Sequence, residues 1–370
     1  MGKGCQKINE LAVLQQMRTT SKKDTSIETL RGLAIILVVI GHVIGSGPDG
    51  GMKVADDSFL RHFYFTFQYL RMPLFTVISG WVYALRPAKK GELWSFNEKK
   101  VRRLMLPLFF VGGAYYILQS IIPGTNFSYG LTDIWRILVF PYTFYWYLQA
   151  LFLVFIVISI VDAQGWANVF RHWLIFFVIS IVFLFARNAF IPQSFPNYLG
   201  FKGAIYLLPF FVIGVGIQRF KSYFENKIFV SISATLLIFG LVFQQLVWYD
   251  IIDYTFKPSD GIGLLIGVVG VVVCLRIRFS VKWLTWIGSY AYTIFLFHSF
   301  GTAGGRILLN RSGIENTTLV FMVSLLLGIF LPVVAEEILN RFGITRFLFL
   351  GRSYKYPSKR LKMKIRTTVS

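Results

Sequence analysis

Two arginines and two histidines stand inside long apolar stretches of this sequence. Arg31 and His42 lie in SIETLRGLAIILVVIGHVIG, Arg71 lies in QYLRMPLFTVISGWVYALR, and His298 lies in GSYAYTIFLFHSFG. Imidazole exchanges protons near neutral pH, and guanidinium binds anions through several donors. A charged side chain at the centre of a bilayer costs about 2.5–3.5 kcal/mol on insertion scales, so such residues usually face a protein interior or a watery cavity. The four residues therefore mark a candidate internal site.

The spacing of Arg31 and His42 places them on one helix face. They are 11 positions apart in the sequence, which in an α-helix leaves them ~20° apart around the axis and ~16 Å apart along it. Gly32 and Gly41 stand beside them and would allow close helix approach. A simpler interpretation of each residue stays open: Arg31 extends to the lipid headgroups, and His42 makes one hydrogen bond between helices.

Arg71 and His298 are each predicted near the middle of a span. Pro73, close to Arg71, removes a backbone donor and is expected to kink its helix. His298 is also explained as a hydrogen-bonded histidine of the core. The sequence contains no P-loop, no dinucleotide-binding glycine motif and no His-Glu-x-x-His motif, and its histidines are scattered. No metal site is therefore expected.

The elements that position these residues are predicted to be membrane-spanning helices. The chain is 55% hydrophobic and only 15% charged, whereas soluble domains carry about 25% charged residues. We predict an all-α polytopic membrane protein with about ten transmembrane helices, each near the length of roughly 20 residues that crosses a bilayer. The predicted spans are 27–46, 62–85, 104–122, 144–161, 172–187, 203–218, 228–248, 261–275, 290–309 and 317–340. A transmembrane domain at 27–350 is then flanked by tails at 1–26 and 351–370.

The distribution of Lys and Arg predicts the orientation. The segments on the side of the termini hold 28 of these residues and the opposite loops hold 8, with Arg61 and Arg306 assigned to the latter. Basic residues accumulate on the cytoplasmic side, so we predict a multi-pass protein of the plasma (inner) membrane with both termini in the cytoplasm. The same bias explains the net charge of +21 without a nucleic-acid partner. Membrane lipid is the expected partner of the basic C-terminal tail, and the oligomeric state stays open.

Five stretches of the chain carry a family resemblance. The first is Arg31 followed, after ten residues, by His42. The others are MPLFTVISGW at Met72–Trp81, YWYLQALF at Tyr145–Phe152, LLPFFVIGVGI at Leu207–Ile217 and WIGSYAYTIFLFHSF at Trp286–Phe300. In this order they resemble the motifs of the membrane acyltransferase-3 family over about residues 27–350. The fucose-4-O-acetylase-like branch often has His directly before Met-Pro, where this chain has Arg71.

The resemblance implies a membrane O-acyltransferase. Such a protein moves an acyl group, usually acetyl from cytosolic acetyl-CoA, to a hydroxyl of a cell-envelope polysaccharide or lipid-linked sugar. A transporter or flippase of a glycan precursor is the alternative, because intramembrane Arg and His also mark transport paths. No inverted repeat is evident in the sequence to favour it. A scaffold without chemistry would leave the shared face of Arg31 and His42 unexplained.

The resemblance also implies roles for the polar residues. His42 would act as general base on the acceptor hydroxyl, or would carry the acyl group covalently. Arg71 would stabilise the developing oxyanion or hold the pantetheine arm, and His298 would relay a proton or bind the acceptor. Further cationic residues would bind the polyanionic CoA, with help from the basic loop at 86–103. They are Arg31, Arg102 and Arg103.

Overall fold

The computed structural model describes residues 24–126, 130–257 and 259–354, which form helices joined by turns and no β-strand. The α-helices are α1 Thr25–Ile44, α2 Phe59–Leu85, α3 Leu93–Lys100, α4 Gly113–Ile121, α5 Arg136–Val139, α6 Trp146–Ala163, α7 Phe170–Phe190, α8 Phe201–Arg219, α9 Lys221–Phe224, α10 Lys227–Trp248, α11 Gly261–Ile277, α12 Lys282–Ser289, α13 Ala291–Arg311, α14 Thr317–Leu339 and α15 Gly343–Leu350. π-helical segments at Val101–Met105 and Leu108–Gly112 connect α3 to α4. Most of both predicted tails, residues 1–23 and 355–370, lies outside the described residues.

Within the described part of the chain, 7 helical segments are long and apolar enough to cross a membrane. They are Thr25–Ile44, Leu93–Ile121, Leu131–Ala163, Phe170–Phe190, Tyr198–Arg219, Lys227–Trp248 and Thr317–Leu339. Three further predicted spans coincide with α2, α11 and α13, of which α11 is shorter and the other two carry more polar side chains. The all-helical, multi-pass architecture is confirmed, whereas the count of ten spans is not.

Helix α1 begins and ends at well-defined caps. The side chain of Asp24 accepts hydrogen bonds from the backbone N–H groups of Ser26 at 3.0 Å and Ile27 at 3.4 Å, which satisfies donors that a helix start leaves free. The helix ends before Gly45, whose φ of +89° is accessible mainly to glycine. These caps place Arg31 in the second turn and His42 in the last.

Glycine contacts bring the central helices close together. A Cβ on Gly80 of α2 would collide with the backbone of Phe211, and one on Gly214 of α8 would collide with the backbone of Val77. Gly32 of α1 faces the backbone of α12 in the same way, as the sequence predicted. Such contacts let helix backbones pack directly, which is the usual packing mode in membranes.

The two ends of the helical bundle can be told apart by their contacts. The Ser26 hydroxyl donates to the backbone oxygen of Arg278 at 3.3 Å, and Arg103 donates to the backbone oxygen of Leu350 at 2.8 Å. We call this end, where the described chain starts and finishes, the terminal face. At the other end, the distal face, Asn126 donates to the backbone oxygen of Gly51 at 3.3 Å. That the terminal face is cytoplasmic stays a prediction.

Two arginines assigned to loops lie inside helices instead. Arg61 belongs to α2 and is 5% exposed, and Arg306 belongs to α13 and is 9% exposed. For Arg61 the predicted span began at 62, whereas the helix begins at Phe59, and for Arg306 the loop count disagreed with the predicted span 290–309, which already contains this residue. The Arg61 guanidinium donates to the backbone oxygens of Gly45 and Val54. It thereby fixes the loop that follows His42.

Candidate active site

A cavity of about 350 Å³ opens towards the distal face between α1, α4 and α13. His42 lines it and is exposed to it, although the residues on either side of His42 are buried. Three polar side chains of α13, Ser299, Thr302 and Arg306, line the same space. We call this space the distal cavity. His42 is therefore accessible to a polar molecule that enters from the distal face.

His298 lies directly behind His42. The two ring centroids are 4.9 Å apart, and His298 is fully buried. Its Nδ1 lies 2.8 Å from the backbone oxygen of Phe295 and 3.1 Å from that of Ile294. Because carbonyl oxygens only accept hydrogen bonds, Nδ1 carries the proton in the neutral ring and Nε2 is an acceptor. That Nε2 is buried without a hydrogen-bond partner, which leaves it free to orient a neighbouring donor.

A second cavity, of about 340 Å³, lies towards the terminal face. We call it the proximal cavity. Arg31, Arg86 and Lys100 line it together with a set of aromatic side chains. The Lys100 amino group lies 3.7 Å from the centroid of the Phe155 ring. Within the described residues neither Arg86 nor Lys100 forms an ion pair, so both charges are available to an anion.

One aromatic layer separates the two cavities. Phe144 lines the distal cavity and Phe295 lines the proximal cavity. Their rings are nearly perpendicular, with centroids 6.0 Å apart. Phe144 also lies 4.5 Å from the His298 ring and 5.5 Å from the His42 ring, centroid to centroid. The histidine pair thus stands at the layer where the two cavities approach each other.

Arg31 and His42 face different cavities along one helix. Arg31 lines the proximal cavity, and His42 lines the distal cavity about three turns further along α1. The Arg31 guanidinium is partly neutralised by Glu28, whose two carboxylate oxygens lie 2.9 and 3.1 Å from Nη1. Helix periodicity predicted that the two side chains lie on one face of α1. The structure adds that the aromatic layer between the two cavities separates them.

Arg71 lies beside His42 but lines neither cavity. Its guanidinium donates to the Tyr64 hydroxyl and stacks on that ring, with Cζ 4.1 Å from the centroid. A Cβ on Gly41 would run into this guanidinium. The sequence suggested that Gly41 allows close helix approach, but the structure does not show this. Gly41 makes room for Arg71 next to the backbone that carries His42.

Arg102 and Arg103 do not line the proximal cavity either. Arg103 stacks on Tyr292, with Cζ 3.9 Å from the ring centroid, and donates to the backbone oxygen of Leu350. It contacts the cavity only through Tyr292, which does line it. Their predicted contact with CoA stays a prediction, whereas Lys100 and Arg86 of the same basic loop do line this cavity.

Sequence reasoning missed two residues of the site. Tyr147 is buried in the wall of the proximal cavity, 5.3 Å from Phe295 between ring centroids. It stood in the quoted stretch YWYLQALF, which was given no chemical role. Arg306 lines the distal cavity, and its spacing from Ser299 and Thr302 by seven and four residues is the signal that would have placed it on their face.

A metal-binding cluster is not evident. Among residues 24–126, 130–257 and 259–354, no group of three or more His, Cys, Asp and Glu side chains is placed to hold a metal ion. The polar groups that face the cavities are imidazole, guanidinium, amino, amide and hydroxyl groups. This donor set is suited to binding anions and to proton transfer.

Similarity to a known protein family covers most of the chain. A family model described as an acyltransferase domain matches residues 24–337. The nodulation protein NolL of Mesorhizobium japonicum is 29% identical over 144 residues, which is 38% of this chain and 36% of that protein. The chain thus spans about a third of the length of that curated relative. No solved structure matches it.

Proposed function

Because this chain belongs to the acyltransferase family, whose model covers residues 24–337, we propose that it is a membrane O-acetyltransferase. The donor would be acetyl-CoA, and the acceptor a hydroxyl of a cell-envelope polysaccharide or lipid-linked sugar. The observation that carries this proposal is the pair of cavities that meet at Phe144 and Phe295 beside two histidines. Donor and acceptor can approach that layer from opposite faces.

The proximal cavity suits the donor. CoA is polyanionic, and Arg31, Arg86 and Lys100 bring three cationic groups to one space. The axial rise of ~16 Å between Arg31 and His42 roughly matches an extended pantetheine arm. Phosphates held near Arg31 would therefore place the thioester close to the aromatic layer. Donor entry from the terminal face agrees with the predicted cytoplasmic location of that face.

The histidine pair suits proton removal from the acceptor. In this mechanism Nε2 of His298 accepts a hydrogen bond from one ring nitrogen of His42. The other nitrogen of His42 is then the base, and takes the proton of the acceptor hydroxyl. The hydroxyl oxygen bonds to the acetyl carbonyl carbon and the carbon–sulfur bond breaks. The departing CoA sulfur takes the proton that His42 held and leaves as the thiol, which restores the neutral His42 ring. His298 is a positioning residue in this scheme. It orients the catalytic base, as the third group does in a nucleophile–base–orienter triad.

The developing oxyanion needs a hydrogen-bond donor. Tyr147 is the best-placed hydroxyl, because it lines the proximal cavity and its ring packs on Phe295. Arg71 has its guanidinium over Gly41, and this placement supports a role in positioning His42 rather than contact with the thioester. In a covalent variant, a His42 nitrogen attacks the thioester first and passes the acetyl group to the acceptor.

The test uses the purified protein in lipid nanodiscs with labelled acetyl-CoA and an envelope-glycan extract as acceptor. We expect label in an ester bond of the glycan, released by mild base. Mass spectrometry of envelope glycans with and without the gene gives the same answer in cells. Unchanged acetyl content with altered glycan location would instead support the flippase. Label trapped on the protein when acceptor is omitted would favour the covalent variant.

Replacing Lys100 by methionine is expected to raise the KM for acetyl-CoA by about 10- to 100-fold with little change in kcat. A hydrogen bond to a charged group contributes about 1.5–3 kcal/mol, and about 1.4 kcal/mol corresponds to a factor of ten. Methionine keeps an unbranched stem against Phe155. Initial rates at varied acetyl-CoA concentration measure the effect.

Lys99→Met is the matched control, because Lys99 is exposed and does not line the proximal cavity. We expect its KM to stay within twofold of the wild-type value. If both variants raised the KM equally, the charge of the loop as a whole would attract the donor, and the cavity would not be the binding site.

A further inference from the structure

An apolar groove of about 280 Å³ runs alongside the distal cavity, between α4 and α13. Leu118 and Ile122 form one wall, and Ile307 and Leu308 form the other. The groove and the distal cavity share five lining residues, so the two spaces are neighbours on one wall. These are Tyr115, Gln119, Thr125, Ser299 and Ala303. The groove has no role in the proposed acetyl transfer itself.

The groove opens sideways, towards lipid. Leu118 is 40% exposed and Leu308 is 63% exposed, and apolar side chains exposed on the outside of a multi-pass helical bundle are expected to contact the hydrocarbon. Gly304 lies in the groove and is exposed, and a Cβ built on it would meet no atom within 4 Å. A molecule within the bilayer could therefore enter the groove beside Gly304 without first leaving the membrane.

Helix α13 presents two different stripes to the two spaces. Ser299, Thr302 and Arg306 form a polar stripe on the distal cavity. Phe300, Gly304 and Ile307 belong to an apolar stripe on the groove. Both stripes follow the three- and four-residue spacing of a helix face. The pair of spaces is therefore matched to a molecule with a polar head and an apolar tail.

Two arginines stand where head and tail would join. Nη2 of Arg306 donates to the backbone oxygen of Gly124 at 3.3 Å, and Nη2 of Arg311 donates to that of Pro123 at 3.1 Å. Both guanidinium groups thus converge on one turn, although Arg306 lines the distal cavity and Arg311 lines the groove. Within the described residues neither forms an ion pair with a carboxylate. Arg306 is 9% exposed, and a buried charge is costly unless an anion pairs with it.

We infer that the groove binds the hydrocarbon tail of a lipid-phosphate-linked acceptor. Its phosphate would lie at Arg306 and Arg311, where guanidinium can bind it through paired donors. Its polar head would reach into the distal cavity towards His42. The inference rests on the proposed function and narrows it: among the acceptors considered, it selects the lipid-linked one and gives it a lateral entry path.

The test is photolabelling, which needs no catalysis. The probe is a polyprenyl phosphate with a diazirine in its tail, presented to the full-length protein in phosphatidylcholine nanodiscs. Label is expected in peptides that contain residues 113–126 and 299–311. Gly304→Leu should reduce this label at least tenfold, because leucine fills the groove. Arg306→Gln with Arg311→Gln should reduce it about tenfold as well, because the phosphate loses both partners.

Gly261→Leu is the matched control for the groove variant. Gly261 is an exposed helical glycine whose added Cβ would meet only one Phe185 atom, at 3.9 Å, and it lies outside the groove. Unlabelled polyprenyl phosphate should compete for the label, and the same concentration of phosphatidylglycerol should not. Equal competition by phosphatidylglycerol would show a general anionic-lipid site and overturn the inference. Label spread evenly over the lipid-facing helices would also overturn it.

The failure of this inference can be told from the failure of the proposed function. His42→Ala protein, which we expect to be inactive, should still take up the label in the groove. Wild-type protein that acetylates glycans but leaves the groove unlabelled would refute the lipid-linked acceptor alone. Groove labelling without any acetyl transfer would refute the proposed transferase and leave a lipid-phosphate site in a protein of another activity.

Discussion

His42→Ala is expected to lower acetyl transfer by about 10²–10⁴-fold, the usual contribution of a general base. His42 is exposed to the distal cavity, so alanine removes the base without creating a new buried void. The affinity for acetyl-CoA should therefore change little, since the proposed donor site, the proximal cavity, lies on the other side of the Phe144–Phe295 layer. Initial rates with labelled acetyl-CoA measure the transfer, and equilibrium binding measures the donor affinity.

His172→Ala is the control for this variant. His172 is exposed at the start of α7 and lines neither cavity, so its removal should leave the rate unchanged. His298→Gln provides a graded comparison, because it keeps a polar side chain behind His42 but loses the ring. We expect it to retain more activity than His42→Ala, with a changed pH profile. Wild-type rates in His42→Ala would exclude both the general-base and the covalent mechanism.

The sequence was informative wherever local periodicity decides the structure. Long apolar segments predicted an all-helical membrane protein, and the 3.6-residue repeat placed Arg31 and His42 on one side of α1. Both predictions depend only on residues that are close together in the sequence. The same reasoning could not show that Arg31 and His42 open into separate cavities, because the wall between them comes from α13 and the segment before α6.

Contacts between distant segments account for what was missed. The approach of His298 to His42 depends on how α13 packs against α1, which no repeat in either helix specifies. Arg306 was counted with the loop charges although it lies within the predicted span 290–309, and the local sequence could not show which group its guanidinium contacts. In the structure the Arg306 guanidinium donates a hydrogen bond to the backbone oxygen of Gly124. Gly41 was assigned to helix packing, but the space above it is taken by Arg71, a contact that requires the position of α2.

Asp162→Ala is expected to destabilise the protein by about 3–5 kcal/mol, the usual effect of removing one partner of a buried ion pair. Arg219 donates to both carboxylate oxygens of Asp162, at 2.6 and 2.7 Å. The Asp162 side chain is 2% exposed and that of Arg219 is 12% exposed, so the guanidinium would be left largely buried without its anion. Chemical denaturation in mixed micelles measures the free energy of unfolding.

The same substitution is expected to weaken donor binding, because Asp162 also accepts a hydrogen bond from the Tyr83 hydroxyl at 2.7 Å and Tyr83 lines the proximal cavity. Glu225→Ala is the matched control: its ion pair with Arg278 is about half exposed on both sides, and such pairs contribute about 0–1 kcal/mol. Replacing both Asp162 and Arg219 by leucine should recover much of the stability but not the KM for acetyl-CoA, since Tyr83 still lacks its acceptor. Equal destabilisation by Asp162→Ala and Glu225→Ala would show that water reaches the ion pair of Asp162 and Arg219. The hydrogen bond from Tyr83 to Asp162 would then not hold the wall of the proximal cavity rigid, and the proposed role of that wall in positioning the donor would be wrong.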